Sequence, residues 1–139
     1  MQIFKSRAAP LLLALAFGLI AIWLGLALGT ASAEQANLAA RWTARAALPF
    51  FLIAYVAGSL YRLWPGALSR TLVQRRRQWG LGFALAHTIH LVALGINLLV
   101  FDVFRPLPVL LGGGLAYGLI YLMALTSNDW SMRKLGKNW

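Results

Sequence analysis

The chain has 139 residues, of which 60% are hydrophobic and 12% are charged, and its net charge is +10. Soluble domains carry about 25% charged residues, so this composition predicts one integral membrane domain over residues 1–139. With no cysteine and only three carboxylates, thiolate metal sites are excluded and paired-carboxylate hydrolysis is disfavoured. We assign the positive charge to anionic lipid headgroups, with no nucleic-acid partner.

Four apolar segments predict membrane-spanning helices in an all-α, four-helix bundle. They lie roughly at residues 10–29, 46–63, 79–101 and 107–125. Pro49 is expected in the first turn of the second helix, where its missing N–H costs little. The first segment has a rival interpretation as a signal peptide cleaved after Ala33. Its apolar run exceeds the usual signal core of about 7–15 residues, so we favour an uncleaved first helix.

Lysine and arginine are distributed unequally between the two ends of these spans. Ten lie on the side that holds both chain termini, and three, Arg41, Arg45 and Arg105, lie on the other. Cytoplasmic loops carry an excess of such residues. The pattern therefore predicts a multi-pass protein of the bacterial inner membrane with both termini in the cytoplasm.

The only two histidines, His87 and His90, lie in the middle of the third apolar segment. An ionisable side chain at bilayer depth is by default a candidate functional site, and a spacing of three puts both imidazoles on one broad helix face. Two imidazoles of one helix cannot bind a haem iron from opposite sides, and zinc would need further donors. Each histidine is therefore at most one axial ligand. The structural alternative is a histidine that hydrogen-bonds across the bundle to a serine, a threonine or a carbonyl.

A cluster of three arginines, residues 75–77, precedes the same segment. A basic cluster at this place primarily determines topology. A secondary role would be pairing with the propionates of a haem or with a flavin phosphate.

Two stretches together resemble the ferric-reductase-like transmembrane family, in particular its bacterial haem-binding subunits of methionine sulfoxide reductase systems. They are RRRQWGLGFALAHTIHL at 75–91 and LTSNDWSMRKLGKNW at 125–139, of which the second is the more specific. Thr43, Ala44 and Arg45 partly match a Thr-Gly-Arg-like element of that family. The resemblance covers about residues 41–139.

The resemblance implies a b-type haem held by histidines of the third and fifth helices. It places the third-helix ligand on His90 and leaves His87 a weaker candidate for a metal ligand. Candidate cofactor-binding residues are also Arg45, Arg76 and Arg77. The family's fifth-helix histidine would fall after Trp139, so the second axial ligand is not in this chain. The chain is then either a piece of a longer protein or a naturally short relative.

Two functions follow from these observations. The first, which the resemblance implies, is a membrane electron-transfer subunit, rather than a stand-alone enzyme, that binds haem b and passes electrons from quinol or a flavin to a partner oxidoreductase. The second is a cofactor-free accessory or structural subunit of a larger membrane complex. Both imply a partner protein, and a bound flavin is a further possibility that nothing beyond the arginine cluster supports. A transporter is disfavoured because the sequence shows no internal repeat.

Overall fold

A computed structural model describes residues 6–135, and all regular secondary structure in that range is helical. The helices are α1 (Ala9–Leu28), α2 (Ser32–Leu63), α3 (Ala67–Gln74), α4 (Arg76–Leu99), α5 (Leu107–Thr126) and α6 (Asp129–Leu135). Four of them, α1, α2, α4 and α5, are long and apolar enough to cross a membrane. The prediction of an all-α protein with four apolar helices is confirmed.

The chain divides into two compact units, Met1–Val103 and Phe104–Trp139. Helices α1, α2 and α4 pack on one another within the first unit, and α3 packs mainly on α2. The second unit contains α5 and α6. Both histidines lie in the first unit, so its packing determines the geometry of the candidate site.

Small side chains allow the three long helices of the first unit to approach closely. At Gly25 of α1, a Cβ atom would lie only 2.3 Å from the backbone nitrogen of Ala39 on α2. At Gly82 of α4, a Cβ atom would lie 3.0 Å from the carbonyl oxygen of Pro10 on α1. Because lipid tails are as apolar as the helix surfaces, the hydrophobic effect does little to bring helices together in a membrane. Close van der Waals contacts of this kind stabilise their packing.

Aromatic side chains fill the part of this unit near the start of α4. The buried ring of Phe50 lies 5.9 Å from the ring of Trp79 and meets Phe17 edge-on at 6.0 Å. Aromatic pairs at such separations add to the stability gained from buried area. The aromatic cluster and the glycine contacts together fix the relative height of α1, α2 and α4.

Helix α2 begins at Ser32, well before residue 46, where the second apolar segment was predicted to begin. Its connection to α1 is therefore only residues 29–31. The side chain of Gln35 links the start of α2 to the end of α1 by hydrogen bonds. The Gln35 Nε2 group donates to the carbonyl oxygens of Leu26 at 3.1 Å and Gly29 at 3.2 Å. The polar first half of α2 is thus a continuation of the helix, packed along α1.

Pro49 lies inside α2, so the prediction that it occupies a first helical turn is wrong. The reason is that hydropathy detects only the apolar second half of the helix. Proline has no N–H to donate to the carbonyl four residues earlier, which belongs to Arg45. Membrane helices tolerate an interior proline where other groups satisfy the released carbonyl.

Candidate functional site around His90

His90 lies on α4, fourteen residues after Arg76. At 1.5 Å per residue, that is about 21 Å along a helix about 36 Å long. The neighbouring Ile89 packs against Gly18, where a Cβ atom would lie 2.5 Å from the Ile89 Cδ1 atom. Since Gly18 is at the middle of α1, His90 lies midway along the apolar part of the unit.

The imidazole of His90 is half-buried and contacts Thr43 of α2. Its Nδ1 atom lies 3.2 Å from the Thr43 Oγ1 atom. The alternative stated from the sequence, a hydrogen bond across the bundle to a threonine, is therefore present in the structure.

Thr43 is itself held firmly within α2. Its side chain is 1% exposed, and its hydroxyl lies 2.7 Å from the carbonyl oxygen of Ala39 and 3.0 Å from that of Ala40. A threonine in a helix often hydrogen-bonds to the carbonyl one turn earlier in this way. The hydroxyl is therefore held in place by hydrogen bonds within α2 itself.

The ring of His87 packs against Phe83, with centroids 4.3 Å apart. It meets the His90 ring edge-on at 6.0 Å. The two imidazoles are thus neighbours but nearly perpendicular. Among residues 6–135, no group of three or more histidine, cysteine, aspartate or glutamate side chains is placed to hold a metal ion.

Arg41 and Arg45, predicted to precede the second span, are exposed residues inside α2. With Ala39 beside Gly25, antiparallel register puts Arg45 opposite about the middle of α1. The Arg45 guanidinium lies over the Trp42 ring, 5.0 Å from its centroid. Two residues correspond to about 200° of helix rotation, so Arg45 and Thr43 are on opposite faces of α2.

Arg76 and Arg77 are also distant from His90. The Arg76 Nε group donates to the carbonyl oxygen of Ala54 at 2.9 Å, and both arginines begin α4 about 20 Å before His90. The structure therefore brings His87 and His90 together, and places the three candidate arginines elsewhere. The cofactor-binding roles of those arginines stay predictions.

Two polar residues near the site were not singled out from the sequence, namely Thr43 as the partner of His90 and Asn97. The Asn97 side chain is fully buried, and neither of its amide atoms has a hydrogen-bond partner among the described residues. Asn97 follows His90 by two helical turns, so it lies on the same face of α4. The sequence could have indicated Asn97, because it is the only amide side chain in the apolar run 79–101.

A cavity of about 260 Å³ lies one turn beyond the His90–Thr43 contact and includes Ala39 and Ala93 in its lining. Other lining residues are mostly apolar, among them Ile22, Leu26 and Ile96. Pockets that bind drug-sized ligands measure about 300–1,000 Å³. This cavity is therefore small for a large planar cofactor.

These features define a helical membrane protein that holds a hydrogen-bonded histidine midway along two packed spans. The chain is similar to curated proteins named protein-methionine-sulfoxide reductase heme-binding subunit MsrQ from Brucella ovis, Brucella canis and Brucella suis. Each is 40% identical over 76 residues, which cover 50% of this chain and 34% of the relative. The resemblance seen in the sequence is confirmed, and the match spans about a third of these relatives' length. No family model and no solved structure matches the chain.

Proposed function

We propose that this protein is a haem-binding electron-transfer subunit of a bacterial inner membrane, which holds a b-type haem through His90 and passes electrons to a partner oxidoreductase. The observation that carries the proposal is the His90 imidazole, anchored through Nδ1 to Thr43 midway along packed spans. The similarity to subunits that are named heme-binding supports it.

The donor chemistry fits a haem ligand. A histidine that binds a metal through one ring nitrogen usually has its other nitrogen held by a hydrogen bond, which orients the ring. In His90 the anchored atom is Nδ1, and Nε2 would be the iron ligand. A bound haem would supply one-electron chemistry. His90 would be the residue of this chain that holds the haem, and His87, on the same helix, would be the weaker candidate.

The proposed orientation places the start of α1 and of α4 on the cytoplasmic side. Ten of the thirteen lysines and arginines belong to that side, and cytoplasmic loops are enriched in them. With Arg41 and Arg45 inside α2, Arg105 is the single cation that remains in a connection on the other side.

Titration of the full chain with hemin, in detergent micelles, tests the proposal. We expect the wild-type protein to develop the Soret absorption of ligated haem, His90→Ala to lose it, and His87→Ala to retain it. Circular dichroism of the three proteins controls for folding. A folded wild-type protein that binds no hemin, or a His90→Ala variant that binds as well as wild type, contradicts the proposal.

The second candidate function is a cofactor-free structural subunit of a larger membrane complex. The small size of the cavity next to the His90–Thr43 contact favours it, because the long apolar helices already pack closely there. In this case, His90 and Thr43 form a hydrogen bond that joins α2 to α4. Purified protein without haem absorption, together with a loss of thermal stability in His90→Ala, would support this second function.

A further inference from the structure

We infer that Thr43 is a positioning residue that holds His90 as the Nδ1–H tautomer and so leaves the ring's lone pair on Nε2. The assignment of the tautomer depends only on the hydrogen bonds of Thr43 within α2 and with His90. Its purpose, presentation of Nε2 to iron, rests on the proposed function.

The direction of the Thr43 hydrogen bonds follows from counting protons. A threonine hydroxyl has one hydrogen to donate and two lone pairs that accept. The Thr43 Oγ1 atom lies 2.7 Å from the carbonyl oxygen of Ala39, and a carbonyl oxygen can only accept. Without a proton between them, two oxygen lone pairs would face each other at that distance. The hydroxyl hydrogen therefore points to Ala39.

The contact with His90 must then run in the other direction. With its hydrogen already donated, Thr43 Oγ1 can only accept from the ring, so the Nδ1 atom at 3.2 Å must carry the proton. Since Thr43 is 1% exposed, water does not compete for its oxygen.

The consequence is that α2 distinguishes between the two histidines of α4. In a neutral imidazole with Nδ1 protonated, the lone pair that can bind a metal is on Nε2. Thr43 imposes this state on His90, whereas the ring of His87 packs against Phe83. Under the proposed function, Thr43, 47 positions earlier in the chain, thus prepares the Nε2 atom of His90 for iron.

Nitrogen-15 NMR of the full chain, labelled at histidine and studied in micelles, tests the tautomer without haem. His87→Gln leaves a single histidine and assigns the signals. We expect Nδ1 of His90 to be protonated in wild type and in Thr43→Ser, which keeps the hydroxyl. In Thr43→Val, which has a similar shape and no hydroxyl, the signals should shift toward the Nε2–H form that free histidine prefers. A wild-type His90 protonated on Nε2, or a folded Thr43→Val with unchanged signals, overturns the inference.

Hemin titration of the same variants separates this inference from the proposed function. Loss of a partner that orients a metal-binding histidine typically weakens affinity about 10–100-fold, so Thr43→Val should bind hemin at least about tenfold more weakly, with Thr43→Ser near wild type. If wild type has the Nδ1–H tautomer but binds no hemin, the proposed function fails and the positioning by Thr43 stands. If Thr43→Val binds hemin as wild type does and keeps the tautomer, the positioning role fails while the function stands.

Discussion

Replacement of Gly25 with alanine is expected to weaken the packing of α1 on α2. The new Cβ atom would lie 2.3 Å from the backbone nitrogen of Ala39 and 2.4 Å from its Cα atom, whereas non-bonded carbon atoms are optimally about 3.5–4.0 Å apart. Because the atoms that the new Cβ would meet belong to the Ala39 backbone, no side-chain rotation relieves the clash. Helices α1 and α2 must therefore separate by about 1 Å or more to restore a normal contact distance. Overpacking costs about 3 kcal/mol at the upper end of its usual range, and alanine in a helix regains about 1 kcal/mol relative to glycine. We therefore expect a net loss of about 2 kcal/mol in the free energy of unfolding.

Unfolding in mixed micelles with increasing SDS, followed by circular dichroism, measures this loss. Gly58→Ala in α2 is the matched control, because its Cβ atom would meet no heavy atom within 4 Å. Gly18→Ala should fall between the two variants, since its closest obstacle is the terminal Cδ1 atom of Ile89, which can rotate away. If Gly25→Ala is as stable as Gly58→Ala, the close contact of α1 with α2 does not exist in the membrane protein.

The same unfolding assay tests two further contacts. Asn97→Leu removes two buried amide atoms that have no hydrogen-bond partner among the described residues, so it should raise the free energy of unfolding by about 1–3 kcal/mol. A decrease would show that the amide is hydrogen-bonded in the native protein. Arg76→Ala removes the donor to the Ala54 carbonyl and should lower the free energy of unfolding by about 0.5–1.5 kcal/mol. An unchanged value would mean that this bond does not contribute to stability.

The sequence predicts the third and fourth apolar helices closely. Segments 79–101 and 107–125 correspond to α4 (Arg76–Leu99) and α5 (Leu107–Thr126). Hydropathy works here because each segment is apolar almost throughout, and a backbone in lipid has to satisfy its own hydrogen bonds within a helix.

The first half of α2 could not be predicted in the same way. Its helical state depends on contacts with α1, such as that of Ala39 with Gly25, and hydropathy contains no information about such contacts. As a result, Arg41 and Arg45 were assigned to a connection although they belong to a helix.

The candidate site was only partly predictable for a related reason. The position of His90 in an apolar run indicates a polar partner, and the sequence limits that partner to a few residue types. Its identity as Thr43 depends on how α2 and α4 are aligned, which is determined by packing contacts such as that of Phe50 with Trp79.

The length of α2 has a consequence for the end of the protein where α4 begins. Its 32 residues make a rod about 48 Å long, whereas the hydrocarbon layer is about 30 Å thick. Because Gly25 contacts Ala39, antiparallel α1 lies alongside roughly residues 36–55 of α2. The last two turns of α2, which include Arg62, therefore extend beyond α1. These turns extend about 12 Å past the start of α1, and the chain leaves them for α3, which packs back mainly on α2.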